Sequence, residues 1–220
     1  MKEVRLSSAI SRWVPFLMFF LCLMATPVLA QDGAENQRGW SVGARGIFVS
    51  FSDSSLDTSA GVSGVAAFRF TPSVDVEIEA GYIRSSSQGD VLAAGSLSLM
   101  PVRGTLRFVP WRFGNALPYV GGGAGYYIAS FSVDTATVES LAALGFAVSQ
   151  DVDSAFGAHV GGGIEWQTGR WVIGVDLKYV LSKANASSTV NDLVTGLVID
   201  DPTEIDLNGL WIAGGFRINF

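Results

Sequence analysis

The chain has 220 residues, 49% of them hydrophobic and only 15% charged, with a formal net charge of −6. That acidic balance argues against nucleic acid as a partner. A single cysteine and a single histidine exclude a disulfide framework and leave no basis for a metal site.

The first element is a targeting segment. Lys2, Arg5 and Arg12 form a basic region, Val14 to Leu23 is nearly all apolar, and Val28-Leu29-Ala30 offers a small-residue cleavage site. The expected division is a signal peptide at 1–30 and one domain at 31–220. An uncleaved anchor helix is the rival reading, but the apolar run is short and is bracketed by Pro15 and Pro27. Cys22 falls inside this segment, and Leu21 before it is too bulky for a lipoprotein site. The segment carries three bases and one acid, so its removal takes the net charge from −6 to −8. Beyond it, no stretch reads as a spanning helix. The long uncharged stretch from Phe113 to Val133 contains Pro118 and Gly121-Gly122-Gly123.

Eight runs of alternating character follow, at 39–50, 60–70, 74–84, 95–108, 118–131, 154–166, 171–182 and 207–220. Each has about the length a tilted strand needs to cross a hydrocarbon layer. In seven of them one parity collects apolar residues, as in Trp40, Val42, Ala44 and Phe48, or Trp171, Ile173, Val175, Leu177, Tyr179 and Leu181. The fourth is less regular, because Leu97 and Leu99 oppose the parity of Val102, Leu106 and Phe108. Thr71-Pro72-Ser73 and Gln167-Thr168-Gly169-Arg170 read as tight turns, and Val109 to Leu117 as a longer one. The other side carries two long loops, 132–153 and 183–206, with a small helix expected over Ala136 to Val148. Short turns at one end and long loops at the other fit a periplasmic and an extracellular side. Trp40, Phe70, Phe108, Trp111, Trp166, Trp171 and Phe220 stand near the turn-side strand ends, where amphipathic rings favour the headgroup level.

The opposite parity carries the charge. Arg45, Arg69, Arg103, Arg107, Lys178 and Arg217 share it with Asp75, Glu77, Glu79, Glu165 and Asp176. A soluble sandwich would have to bury these groups in its core. A closed barrel with lipid outside and ion pairs inside wants both faces, so the expected fold is all-β, an eight-stranded antiparallel transmembrane barrel. Six bases nearly balance five acids, and an eight-stranded lumen is just wide enough for side chains to fill. A structural plug of ion pairs is therefore favoured over an ion conduit. Inward glycines (Gly43, Gly81, Gly121, Gly123, Gly125, Gly161 and Gly163) leave room for long arginines opposite. Toward the loop side the inward residues turn apolar: Ile47, Val49, Ile83, Leu97, Leu99, Tyr127, Phe131, Val180 and Trp211. They read as a greasy vestibule above a polar floor, with packing of the loop bases as the plainer alternative.

Other motifs carry little. The glycine runs at 121–125 and 161–163 lack a following Lys-Ser/Thr and a helix, so they are not phosphate loops. His159 has inward parity and no adjacent serine, and no catalytic constellation or cofactor is indicated. The loop acids Asp134, Glu139, Asp151, Asp153, Asp192, Asp200, Asp201, Glu204 and Asp206 could hold calcium but read as solvated.

Pro118-Tyr119-Val120-Gly121-Gly122-Gly123-Ala124-Gly125-Tyr126-Tyr127 resembles the Pro-Tyr-Val-Gly-x-Gly-x-Gly-Tyr stretch of OmpW-type outer membrane barrels. Trp171 to Tyr179 resembles that family's seventh strand. Gly214-Gly215-Phe216-Arg217-Ile218-Asn219-Phe220 resembles the aromatic-ended last strand read by outer-membrane assembly machinery, with Phe216, Ile218 and Phe220 as its signal. The likeness covers about 95–220, and the Pro-Tyr pair and terminal Phe recur in OmpA-like and opacity-type barrels. Strand one lacks the proline that OmpW proteins carry after its apolar run. The resemblance implies passage of small hydrophobic molecules through an apolar upper channel opening sideways into the membrane. It makes Leu97, Leu99, Tyr127, Phe131 and Trp211 the residues to line that channel. The expected partners are outer-membrane lipid and lipopolysaccharide, the assembly machinery with periplasmic chaperones, and small hydrophobic permeants. The alternative is a surface-interaction, adhesion or envelope-structural barrel acting through its loops. An enzyme is not expected.

Overall fold

A computed structural model describes residues 39–53, 56–87, 95–193, 195 and 197–220. The signal segment and its cleavage site lie outside the described residues. Among these residues ten strands run in chain order: β1 (Gly39–Phe51), β2 (Ser59–Thr71), β3 (Val74–Ser87), β4 (Gly95–Phe108), β5 (Ala116–Val133), β6 (Phe146–Val152), β7 (Ala155–Thr168), β8 (Trp171–Asp192), β9 (Val198–Asp206) and β10 (Gly209–Asn219), with a helix, α1 (Thr135–Ala143), after β5.

Eight of these strands close on themselves. β1 to β5 pair in sequence, β5 pairs β7, β7 pairs β8, β8 pairs β10, and β10 returns to β1, always antiparallel. Closure matters because hydrocarbon offers no partner to a free N–H or C=O, and an open edge would leave a row of them. No described helix is long and apolar enough to cross a membrane.

The alternation in sequence becomes inside and outside. Along β4 the burial reads strictly by parity from Pro101 onward, with Arg103, Thr105 and Arg107 in and Val102, Leu106 and Phe108 out. Leu97 and Leu99 are buried as well, so the irregularity of this strand is a change in what lines the lumen, not in phase. The outward face is a band of exposed Ile173, Val175, Leu177, Tyr179 and Leu181 on β8 and Phe156, Val160 and Ile164 on β7. At the turn end, Trp40 packs on Phe68 at 4.9 Å, Phe68 on Phe70 at 4.7 Å and Trp171 on Phe216 at 5.8 Å.

The turns are tight where glycine permits. Gly169 adopts φ 59 between β7 and β8, and Gly114 adopts φ 59 in the small Phe113–Ala116 hairpin before β5. The loop end differs from expectation in two ways. First, 183–206 is not a loop. β8 runs on to Asp192 and β9 returns along it, while β6 flanks its other edge, so a three-stranded sheet stands beyond the barrel. The alternation simply continues: Ala184, Ala186, Ile205 and Leu207 are buried, while exposed Lys183 reaches Glu204 at 2.5 Å on the other face. Alanines give a faint apolar signal, which hides the strand. Second, the expected 136–148 helix stops at Ala143. Gly145, at φ 87, donates to the Ala142 carbonyl and ends it, and Phe146 onward pairs with β8.

Glycine also sets how closely the wall approaches itself. A Cβ on Gly123 of β5 would lie 1.9 Å from the Gly104 carbonyl oxygen of β4. Gly123→Val should therefore destabilise the barrel by about 1–3 kcal/mol or more, read as a lower urea midpoint in lipid vesicles. An unchanged midpoint would show that this approach is not needed.

Candidate functional site

The lumen has two layers. The lower one is ionic. Six bases and five acids project from β1, β2, β3, β4, β7, β8 and β10, and every one of the eleven makes at least one ion pair. All are buried except Arg69, whose side chain is 16% exposed. Glu77 is the hub. Arg45 donates to both of its oxygens at 2.7 Å, and Arg107 donates to Oε2 at 2.7 Å. Lys178 and Arg217 reach it at 3.4 Å. Glu165 accepts from Arg217 at 2.6 Å on both oxygens and from Arg107 at 2.8 Å. Glu79 takes Arg103 at 2.9 Å, Lys178 at 3.0 Å and the Ser63 hydroxyl at 2.8 Å. Asp176 lies 3.1 Å from Arg45, and Asp75 lies 3.0 Å from Arg107 and 3.7 Å from Arg69.

The aromatic rings extend this network. The Arg107 guanidinium lies 3.9 Å from the Tyr119 ring centre, and that of Arg103 lies 4.4 Å from Trp211. His159 is buried and bonded to Thr105 at 2.8 Å. Among the described residues no group of His, Cys, Asp or Glu could hold a metal. A cavity of about 10 Å³ beside Arg45, Glu165 and Arg217 has room for one water at most.

The upper layer is apolar. Ile47, Val49, Ile83, Leu97, Leu99, Tyr127, Val180 and Trp211 are at most 3% exposed and form one packed cluster, with Phe131 partly buried against it. Leu56, Val152, Ile205 and Leu207, which come from the loop end, join the same cluster. The residues read as a vestibule are thus filled by one another and roofed from above. Admitting anything between them requires that roof to lift.

One wall residue was missed in the sequence. Pro101 sits mid-strand in β4, where a proline is unusual because it cannot donate to the ladder. The β3–β4 pairing runs from Val74↔Phe108 to Ala80↔Val102 and resumes only at Ile83↔Leu99. The gap faces Gly81 and Tyr82, level with the join between the two layers. Outside it, the Tyr82 and Ser98 hydroxyls meet at 3.2 Å. A proline inside an otherwise regular strand was the available signal. Ser63 and Tyr119 were also missed, since neutral inward groups do not stand out in an alternation of charge and grease.

Residues 18–167 match the family described as outer membrane protein beta-barrel domain. The chain belongs to that family. Its place is the bacterial outer membrane. Among solved structures it is similar to OprG from Pseudomonas aeruginosa, at TM-score 0.67 and 16% identity, over 83% of this chain and 96% of that one. It is also similar to AlkL, determined in lipid bilayers, at TM-score 0.57 and 16% identity, over 89% and 96% of the two chains. Both likenesses show the barrel fold, and Pro118 to Tyr127, the stretch that carries the sequence resemblance, lies on β5. No curated protein matches the chain. Of the assembly-signal residues, Phe216 is exposed on β10, Ile218 is half-buried on the same strand, and Phe220 is exposed.

Removing the hub of the ionic layer should be costly. Glu77→Gln leaves Arg45 and Arg107 without their shortest carboxylate contacts and should destabilise the barrel by about 3–5 kcal/mol. Arg69→Gln, at the edge, should cost less than about 1 kcal/mol. Urea unfolding monitored by loss of the folded gel band separates the two, and equal effects would contradict a central role for Glu77.

Proposed function

We propose that this outer membrane barrel passes small apolar molecules from outside into the membrane, by entry at the loop end and exit sideways through the wall. The observation that carries the reading is the break in the β3–β4 ladder at Pro101. It stands beside the apolar cluster and just above the ionic layer. Direct passage down the axis would have to displace a network of paired, buried charges, at several kcal/mol for each pair broken. Sideways exit avoids that. An apolar solute that enters the cluster loses nothing by moving on into lipid, and at Pro101 the wall has fewer ladder bonds to part. The resemblance to OmpW-type barrels points the same way.

Pro101→Ala restores a backbone donor facing β3. One added ladder bond, worth about 0.5–1.5 kcal/mol, should slow uptake of a neutral hydrophobic probe about two- to tenfold with the barrel still folded. Leu97→Asp combined with Trp211→Asp should abolish uptake by charging the apolar layer. Normal uptake by both variants would reject the route.

A second reading, surface interaction through the loops, is favoured by one feature. Leu193, Leu197, Val198 and Ile199 are exposed at the tip of the β8–β9 sheet, away from the membrane-facing band. Exposed apolar side chains in an aqueous position mark contact surfaces. Replacing these four by serine should abolish adhesion and leave uptake intact if this reading holds. Retained adhesion would dismiss it.

A further inference from the structure

Where the apolar cluster meets the ionic layer, three side chains turn hydrogen-bond donors toward nothing. Nε and Nη1 of Arg103, the Tyr127 hydroxyl and Nε1 of Trp211 are all buried; the Tyr127 oxygen faces the Arg103 guanidinium as an acceptor, which leaves its own O–H, like the indole N–H, without an acceptor among the described residues. Each such group costs about 1–3 kcal/mol, and native proteins leave few of them unexplained. These come from β4, β5 and β10, yet they converge. The Arg103 guanidinium lies 4.4 Å from the Trp211 ring centre, and the Tyr127 and Trp211 ring centres lie 6.0 Å apart. Tyr127 is the register partner of Pro101, and Arg103 follows Pro101 by two residues on the same inward face. The donors therefore stand beside the break in the wall.

Their chemistry is one-sided. The Arg103 and Trp211 atoms can only donate, and the Tyr127 hydroxyl still has its proton to give, so the missing partner is an acceptor. The nearby carboxylate, Glu79, is already shared between Arg103, Lys178 and Ser63. Among the described residues the ionic layer holds six bases against five acids, so one negative charge would balance it. Immediately above, Ile83, Leu99 and Val180 offer only hydrocarbon.

We infer that the base of the apolar layer is a binding site for a monocarboxylate amphiphile. Its carboxylate is held by Arg103, Tyr127 and Trp211, and its alkyl chain lies among the apolar residues above. The inference rests on the uptake reading and narrows it, because it names what the route takes. Admission requires Leu56, Ile205 and Leu207 to move aside. A guanidinium is well suited to the head, since its donor fork matches a carboxylate while its face stays on the indole.

The test is binding, measured apart from transport. The mature chain in zwitterionic nanodiscs is titrated with octanoate, octylammonium and octane. The readout is the indole N–H resonance of Trp211, assigned through Trp211→Phe. Octanoate should shift it saturably and bind at least about tenfold more tightly than octylammonium. Tyr127→Phe, which removes one oxygen and keeps the ring, should weaken octanoate about tenfold and leave octane unchanged. Arg103→Gln should do the same, and if that variant fails to fold, Tyr127→Phe decides alone. Equal response to the three probes, or octanoate affinity unmoved by Tyr127→Phe, would overturn the site and leave the donors to water. Octanoate selectivity with uptake indifferent to Pro101→Ala would keep the site and remove the sideways exit. Uptake that depends on Pro101 without any preference for the carboxylate would keep the exit and remove the site.

Discussion

A bilayer gives no partner to a peptide group and no solvation to a charge, and the rest of this molecule follows from those two absences. The first forces the sheet to close, so that β10 returns to β1. The second forces the eleven charged residues of the ionic layer to the inside, where they must neutralise one another. Eight strands leave a lumen too narrow for water to do that work. The result is a network centred on Glu77, in which one fully buried carboxylate serves four bases. The glycines of β5 and β7 belong to the same solution, because they give the arms of Arg103, Arg107 and Lys178 the space that a side chain would take.

The network divides the barrel. Below it, nothing apolar has reason to travel. Above it, the lumen wall changes from charge to hydrocarbon within four residues, from Arg103 to Leu99 on β4 with Pro101 between them. The place where the lining changes is thus also a place where the β3–β4 ladder is interrupted. A route that ends sideways at this level needs neither a pore through the ionic layer nor a disruption of the closed sheet elsewhere.

Much of this could be read from the chain, and the exceptions have physical causes. Parity assigns all eleven charged residues and all nine apolar ones to a face, since a period of two leaves no ambiguity where one side is lipid. It does not say whether neighbouring apolar side chains leave a channel or fill it. That depends on Leu56, Val152, Ile205 and Leu207, which arrive from the loop end through long-range contacts. The continuation of β8 past Ser182 escapes notice because Ala184 and Ala186 are small. Pro101 escapes because the alternation around it survives; proline removes a donor without changing which way its neighbours point. The orphaned donors of Arg103, Tyr127 and Trp211 are invisible in sequence, because three strands must close before they meet.

The most direct test of the whole arrangement is the depth and side of individual wall positions. Fluorophores attached at single cysteines replacing Val160, Ile173 or Leu106, in vesicles whose lipid chains carry nitroxide quenchers, should be strongly quenched. The same label replacing Ser63 or Thr105, in whatever variants fold, should be shielded. Quenching at Ser63 and Thr105 with protection at Ile173 would mean that the two faces have been exchanged, and the account of an ionic lumen inside a lipid-facing wall would be wrong.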